Sequence, residues 1–265
     1  MYADYNEVKE AAKLFSPYVE KIGQSRFGRN IYAFVKGSGG ILVQAGIHAR
    51  EHIGCKVLLE ILKRTDVLSF PAISLVPLVN PDGTELALKG AEGFPNSREL
   101  KRINRSDNFS LWKANARGVD LNVNFAADWG KGKRNVFYPS PSDYVGEYPE
   151  SERESEALAS FARRGFKTTI SLHAKGEIVF YAYRDVDPDP VLNEIVASSL
   201  GYPLARSAGS AGGFKDWCVL ELGIPSYTVE LGKDDSTYVG LYDDLDDLVN
   251  RTYALIKACK EYYYG

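Results

Sequence analysis

Hydrophobic positions along the chain follow two periods, one typical of strands and one typical of helices. Short apolar runs between turn residues predict strands, whereas apolar residues that recur every three or four positions predict helices. The predicted strands cover residues 18–24, 31–35, 41–45, 72–79, 168–172, 178–183 and 226–229. The predicted helices cover residues 5–15, 53–64, 150–163, 190–200, 213–221 and 241–262. Because the two kinds of element interleave, the pattern predicts a three-layer α/β domain around a mixed sheet.

The periodic pattern fades between residues 89 and 133. Charged residues, Asn and Gly dominate this stretch, and the aromatic residues Trp112, Phe125 and Trp129 are spaced along it. Long irregular segments inside a compact domain are usually functional or disordered. The spaced aromatic residues favour an ordered, functional segment. Just before it, residues 80–83 (Asn-Pro-Asp-Gly) form a strong turn signal.

The length, charge and cysteine content limit the class of protein to which the chain can belong. Its 265 residues, 45% hydrophobic and 25% charged, fit one domain over residues 1–265. A net charge of −3 gives no electrostatic case for nucleic acid or an anionic membrane as a partner. Only three cysteines are present, which argues against a disulfide framework, and we expect Cys55 and Cys218 to be buried free thiols. The sequence shows no secretory leader and no apolar run that spans a bilayer, so we expect a cytoplasmic protein unless processing has removed a leader.

Candidate chemistry begins where the predicted strand 41–45 gives way to the helix 53–64. His48 and Glu51 lie three positions apart, so on a first helical turn they would share one face. An imidazole nitrogen and a carboxylate oxygen are both good zinc donors, but a catalytic zinc needs three protein ligands. A His-x-x-Glu pair also arises by chance. The rest of the chain must therefore supply a third ligand.

Two further strand ends carry a residue that suits a metal ligand or a base. His173 follows the predicted strand 168–172, and Glu230 follows the predicted strand 226–229. Strand ends on one edge of a sheet converge in space, so these side chains are expected near His48 and Glu51. Glu230 could instead be a surface carboxylate or a salt-bridge partner, but it follows apolar residues, where an unpaired charge would be costly. A carboxylate near an activated water is the usual base of metal-assisted hydrolysis.

Five short motifs occur in a fixed order along the chain, and together they are far more specific than any one alone. They are Gly46-Ile47-His48-Ala49-Arg50-Glu51, Asn80-Pro81-Asp82-Gly83, Gly118-Val119-Asp120-Leu121-Asn122, Ser171-Leu172-His173 and Tyr227-Thr228-Val229-Glu230-Leu231. Because it carries these five motifs in this order, the chain resembles the M14 zinc carboxypeptidase family, which has the carboxypeptidase A fold. The resemblance implies an eight-stranded mixed sheet between helices and one zinc per chain, bound by His48, Glu51 and His173. It also implies that Glu230 is the general base and proton shuttle.

The chain departs from the family pattern at positions that, in the family, contact the substrate. Family members carry Asn-Arg-Asn where this chain has Asn122-Val123-Asn124, and that Arg helps to grip the free C-terminal carboxylate of a substrate. Val123 cannot form such a charge-assisted clamp. The position of the family's oxyanion-stabilising Arg corresponds to Lys113, which keeps the charge but loses the planar fork. The mobile family Tyr falls near Ala208, so no counterpart is expected. The resemblance implies that Asn122 and Arg50 bind substrate.

Two segments resemble one branch more closely. Residues 112–122 and 212–217 are similar to those of bacterial γ-D-glutamyl-meso-diaminopimelate peptidases, which cut the stem peptides of peptidoglycan and also lack the usual Arg. Lys215 corresponds to the floor of the specificity pocket, where a cation should select a carboxylate. Diaminopimelate carries a carboxylate at the far end of its side chain. The alternative is that Lys215 is a solvated lysine on a helix surface.

Three hypotheses follow. The leading one is a zinc peptidase or amidase that hydrolyses the γ-D-glutamyl-diaminopimelate bond of murein stem peptides. The second is a zinc carboxypeptidase that releases C-terminal acidic residues, with another cation in place of the missing Arg. The third is a zinc-containing protein that binds a cell-wall peptide without turnover. The presence of Glu230, which metal binding does not need, argues against the third hypothesis.

Overall fold

Eight strands form one sheet in the computed structural model, which describes residues 2–64, 66–207 and 209–265. They are β1 (Val19–Gln24), β2 (Asn30–Lys36), β3 (Ile41–Ala45), β4 (Ile73–Val76), β5 (Thr168–His173), β6 (Ile178–Tyr181), β7 (Leu204–Arg206) and β8 (Ser226–Glu230). Their order across the sheet is β1-β2-β4-β3-β5-β8-β6-β7. The central strands β4, β3, β5 and β8 are parallel, whereas β2 pairs with β4, and β6 with β8, in antiparallel fashion. The predicted mixed sheet is confirmed.

Helices cover both faces of this sheet. They are α1 (Tyr5–Leu14), α2 (Ile53–Leu62), α3 (Pro81–Lys89), α4 (Ser97–Asn104), α5 (Arg153–Ala162), α6 (Pro190–Leu200), α7 (Phe214–Trp217) and α8 (Leu245–Tyr264). Alternate side chains of a strand point to opposite faces. Accordingly, Ile41 and Val43 of β3 join an apolar core with α2, α6 and α8, and Leu42 joins a second core with α5 and α7. The predicted three-layer α/β/α fold is confirmed.

Four elements differ from the prediction. The turn predicted at residues 80–83 is the start of α3, because the Asn80 side chain accepts a hydrogen bond from the Gly83 N–H and Pro81 occupies the first helical position. Helix α4 lies inside the stretch predicted to be irregular, since only Leu100 and Ile103 mark its apolar side. The short strand β7 was also missed. The predicted helix 213–221 ends its α-helical part at Trp217 and continues as a π-helical turn.

The stretch between α4 and α5 is ordered, as its spaced aromatic residues predicted. Trp112 and Phe125 are fully buried, and the Trp112 indole N–H donates to the Asn115 carbonyl at 3.2 Å. Backbone hydrogen bonds tie this stretch to the sheet end, for example from the Ala49 N–H to the Lys113 carbonyl at 3.1 Å. The irregular segment therefore forms one wall beside the end of β3.

The three cysteines, Cys55, Cys218 and Cys259, are buried and free, as predicted for the first two. Burial raises the pKa of the Cys218 thiol and of the Cys259 thiol to about 12. These thiols are therefore protonated components of the core. Within the described residues, no helix has the length and apolar character needed to cross a membrane.

Candidate metal centre and substrate cavity

His48 and Glu51 lie in the turn between β3 and α2. The turn is closed by a hydrogen bond from the Glu51 N–H to the His48 carbonyl at 3.2 Å, and α2 begins only at Ile53. The expectation that the pair lies on the first turn of the helix is therefore wrong. Gly46 allows the strand to enter this turn, because its φ is +64° and a side chain there would clash with Leu78.

The structure brings His48, Glu51 and His173 together at the ends of β3 and β5. Nδ1 of His48 lies 2.9 Å from Glu51 Oε1, Nδ1 of His173 lies 3.0 Å from Glu51 Oε2, and the two Nδ1 atoms are 3.0 Å apart. All three residues are buried. Donor atoms around a tetrahedral zinc lie roughly 3.3 Å apart, and three protein donors is the usual number in catalytic sites. These side chains therefore fit one zinc ion.

Asp120 supports the cluster from behind His48. Its Oδ1 lies 3.3 Å from His48 Nε2, a close electrostatic contact outside hydrogen-bond geometry, and its Oδ2 lies 2.8 Å from Lys113 Nζ. Burial alone would raise the pKa of Asp120, but Lys113 and His48 hold it well below its usual range. A carboxylate behind a ligating His orients the ring and raises its basicity. The sequence contains Asp120 within a quoted motif, yet its contact with His48 required the fold.

Lys113 therefore has two neighbours that the sequence did not reveal. Besides Asp120, it has Oδ1 of Asp143 at 3.9 Å from its Nζ. Although burial alone would lower the pKa of Lys113, these carboxylates raise it, so the ammonium stays charged. Lys113 lines the cavity described below, and its predicted role at an oxyanion stays a prediction.

Glu230 ends β8 next to the metal cluster. In the register of the two parallel strands its partner is His173. Burial raises the pKa of Glu230 to about 7, and the Glu51 carboxylate acts in the same direction, whereas His173 opposes both. A carboxylate with a pKa near neutrality can both accept and return a proton.

One cavity of about 500 Å³ opens at this edge of the sheet. Its size is within the range of small-molecule binding sites. Six of the predicted site residues line it, namely His48, His173, Glu230, Lys113, Asn122 and Lys215. Val123 also lines it, at the place where the family pattern has an Arg. The Asn122 side-chain oxygen accepts a hydrogen bond from the Phe214 N–H at 3.0 Å, which fixes the wall to the start of α7.

Arg50 lies near the metal cluster, and its predicted role in binding substrate stays a prediction. It is absent from the wall of this cavity as the described residues form it. Its Nη1 donates to the Leu111 carbonyl at 3.2 Å, and its guanidinium lies 5.1 Å from the centre of the Tyr238 ring. The side chain is thus engaged with the protein, although its charge still acts on Glu230. Ala208, the position considered for a mobile Tyr, lies outside the described residues.

Lys215 and Asp216 form a buried charged pair in the wall of the cavity. Lys215 is 4% exposed and Asp216 is 2% exposed, so the alternative of a solvated surface lysine is wrong. Lys215 Nζ lies 2.5 Å from Asp216 Oδ1 and also donates to the Ala182 carbonyl. Burial raises the pKa of Asp216, and the neighbouring ammonium opposes this shift. Asp216 was not predicted as a site residue, although two adjacent charges in an apolar helical segment are an available signal.

Similarity to known proteins agrees with this geometry. The family model described as zinc carboxypeptidase, Peptidase_M14, matches residues 5–262. The γ-D-glutamyl-L-diamino acid endopeptidase 1 of Lysinibacillus sphaericus is 32% identical over 256 residues, which cover 86% of this chain and 64% of that protein. The chain therefore spans less than two thirds of the length of this relative.

Solved structures of other proteins share this fold. Bovine thrombin-activatable fibrinolysis inhibitor superposes with a TM-score of 0.79 at 21% identity, over 99% of this chain and 97% of that chain. A murein-tripeptide amidase from Escherichia coli O157 superposes with a TM-score of 0.59 at 24% identity, over 88% and 91% of the two chains. The family uses zinc, and the His-Glu-His cluster supplies the matching ligands. The chain therefore belongs to the M14 zinc carboxypeptidase family and carries a metallopeptidase domain.

Proposed function

We propose that the protein is a zinc-dependent peptidase or amidase that hydrolyses the γ-D-glutamyl-diaminopimelate bond of murein stem peptides. One observation carries the proposal: the cavity that holds His173 and Glu230 also holds the buried cation of Lys215. A buried cation selects a substrate group that carries a negative charge. The side chain of diaminopimelate ends in such a group.

Each residue of the site has its own role in the proposed hydrolysis. Zinc, when bound by His48, Glu51 and His173, supplies a Lewis acid that polarises the scissile carbonyl and lowers the pKa of water toward ~7. Glu230 accepts the proton of the attacking water and passes it to the leaving amine. Asp120 holds the His48 ring in place, as its 3.3 Å contact with Nε2 suggests.

The missing arginine supports a substrate other than that of an ordinary carboxypeptidase. Val123 lines the cavity and cannot grip a terminal α-carboxylate. Asn122 keeps an amide in the wall, and its oxygen accepts a hydrogen bond from the Phe214 N–H, so the amide NH2 is the group that can donate to a substrate. One neutral amide does not replace the charge of the family Arg, and the cation of Lys215 is the most buried positive group in this wall.

One relative, one solved structure and the family as a whole each support a different part of the proposal. The Lysinibacillus sphaericus relative is a γ-D-glutamyl-L-diamino acid endopeptidase. The neighbour from Escherichia coli is a murein-tripeptide amidase, so this fold can carry such an activity. Peptidases of the M14 family act on peptides, and the murein peptide is the part that we propose for this chain.

A second candidate is a carboxypeptidase that removes C-terminal acidic residues. It is favoured by Lys133 and Arg134, which are exposed at the wall of the same cavity. Either cation is therefore positioned to pair with a substrate carboxylate. In this candidate, Lys133 or Arg134 at the cavity wall binds the C-terminal carboxylate, in place of the family Arg that is Val123 here.

Digestion of defined peptides separates the candidates. Zinc-loaded protein is incubated with L-Ala-γ-D-Glu-meso-diaminopimelate and, separately, with an α-linked peptide that ends in Glu, and the products are identified by mass. We expect free diaminopimelate and L-Ala-D-Glu from the first peptide and little change in the second. Release of Glu from the α-linked peptide alone would favour the carboxypeptidase. Cleavage of neither peptide would favour the binder without turnover.

A further inference from the structure

We propose that Lys215 and Asp216 form one subsite, which binds both charges at the zwitterionic end of a diamino acid side chain. The inference rests on the proposed function and adds Asp216 as a second determinant of specificity. In it, Lys215 pairs with the distal carboxylate of the substrate and Asp216 pairs with the distal ammonium.

The first support is the shared placement of the two side chains. They are neighbours on the short helix α7, both line the cavity that contains His173 and Glu230, and both are almost completely buried. Their charged atoms are 2.5 Å apart, so the wall presents a positive and a negative group side by side. The carboxylate and ammonium on one carbon of an amino acid have a matching separation and the opposite arrangement of charge.

The second support is the bonding capacity that the pair retains. The Lys215 ammonium has three donors, and the protein provides Ala182 O and Asp216 Oδ1 as neighbours. Asp216 Oδ1 is buried and pairs with the Lys215 ammonium at 2.5 Å. A carboxylate oxygen can accept more than one hydrogen bond, so this oxygen retains acceptor capacity beside the ion pair. A ligand ammonium would use it in a charge-assisted hydrogen bond.

The third support is that Asp216 disfavours a substrate group that carries only a negative charge beside Lys215. A substrate carboxylate that approaches Lys215 also approaches the Asp216 carboxylate, and like charges in a desolvated site repel each other. An ammonium on the same carbon removes that repulsion. The pair therefore favours a zwitterionic end over a purely acidic one, which separates a diaminopimelate side chain from a glutamate side chain.

The experiment compares four substrates of the zinc-loaded protein. Each has the form L-Ala-γ-D-Glu-X, where X is meso-diaminopimelate, lysine, 2-aminopimelate or 2-aminoheptanoate. Lysine lacks the distal carboxylate, 2-aminopimelate lacks the distal ammonium, and 2-aminoheptanoate lacks both. For the wild type we expect kcat/KM to fall roughly tenfold or more on loss of either group, as for one partner of a buried charged pair. Equal kcat/KM for diaminopimelate and 2-aminopimelate would overturn the inference without any variant.

Two variants assign the groups. With Asp216→Asn we expect the preference for diaminopimelate over 2-aminopimelate to disappear, while the preference over lysine remains. With Lys215→Met we expect the preference over lysine to disappear. Zinc content and circular dichroism show whether each variant is folded. A folded Asp216→Asn variant that loses the same factor on all four substrates would show that Asp216 is only structural.

Failure of the proposed function would have a different signature. If the wild type cleaves none of the γ-linked substrates, the proposed function fails and the subsite is tested by calorimetry with free diaminopimelate, 2-aminopimelate and lysine. Diaminopimelate is then expected to bind roughly tenfold more tightly than either of the others. Equal binding of diaminopimelate and 2-aminopimelate would overturn the subsite as well.

Discussion

His173 and Glu230 are register partners on the parallel strands β5 and β8, so a metal ligand and the proposed base end two neighbouring strands side by side. This pairing follows from the sheet order, in which β3, β5 and β8 are adjacent. The turn after β3 adds His48 and Glu51 to the same edge. The reactive groups are therefore positioned by strands whose other residues are locked in the core.

The first prediction concerns the metal. Purified protein should contain about one zinc per chain, and His173→Ala should lose most of it, because two protein donors do not hold a catalytic zinc. Metal content is measured by elemental analysis. His52→Ala is the matched control, since His52 is a neighbouring buried histidine whose Nδ1 bonds to the Tyr242 hydroxyl at 2.7 Å instead of facing the cluster. Full zinc content in the His173 variant would contradict the assignment.

The second prediction concerns Asp120, the residue behind His48. Asp120→Asn removes the charge 3.3 Å from His48 Nε2 and should weaken zinc binding roughly 10–100-fold, as loss of such a supporting carboxylate does. Competition with a chelator of known affinity measures the change. Asp143→Asn is the control, because Asp143 faces Lys113 at 3.9 Å but is not part of the His48 contact. An unchanged zinc affinity in the Asp120 variant would show that this carboxylate does not support the ligand.

The third prediction concerns stability and pH. Glu154 is buried, and burial, with the help of Glu152 and Asp82, raises its pKa from 4.5 to about 7. The folded state therefore holds a proton that the unfolded state releases, so the free energy of unfolding falls as pH rises from about 4.5 to about 7. A shift of this size corresponds to about 3 kcal/mol.

Glu154→Gln should remove that pH-dependent loss. At about pH 8 the variant should be more stable than the wild type by up to about 3 kcal/mol, and at about pH 4 the two should be similar. Urea unfolding with saturating zinc measures the difference at each pH. Glu156→Gln, an exposed neighbour on α5, should leave the pH dependence of the wild type unchanged. The same pH slope in the Glu154 variant and the wild type would contradict a buried Glu154 with a raised pKa.

Much of this arrangement was accessible from the sequence because strand ends are marked by local pattern. His173 and Glu230 each follow a short apolar run, and the convergence of strand ends then places them together. Their register, by contrast, depends on the order of strands in the sheet, which no local pattern contains. The bounds of the seven predicted strands lie within a few residues of the observed ones, whereas β7 was missed. Helix α3 was missed because its Asn-Pro start has the same composition as a turn.

The charged residues around the site were harder to predict. Arg50 belongs to the motif of the metal ligands, but its guanidinium is held by the Leu111 carbonyl and the Tyr238 ring, which come from distant segments. Lys215 was expected at the pocket, whereas its ion pair with Asp216 depends on the rotamers of two adjacent side chains. Such contacts are set by packing between segments, and sequence spacing does not determine them.

The central claim, that Glu230 catalyses hydrolysis of a γ-D-glutamyl-diaminopimelate bond at a zinc centre, is tested most directly with Glu230→Gln. The measurement is kcat for L-Ala-γ-D-Glu-meso-diaminopimelate, with the zinc content of the same samples determined in parallel. We predict that the wild type cleaves this peptide and that the variant keeps its zinc but is at least ~100-fold slower, the low end for a positioned acid-base group. Near-normal turnover by the zinc-loaded variant, or no cleavage by the zinc-loaded wild type, would contradict the claim.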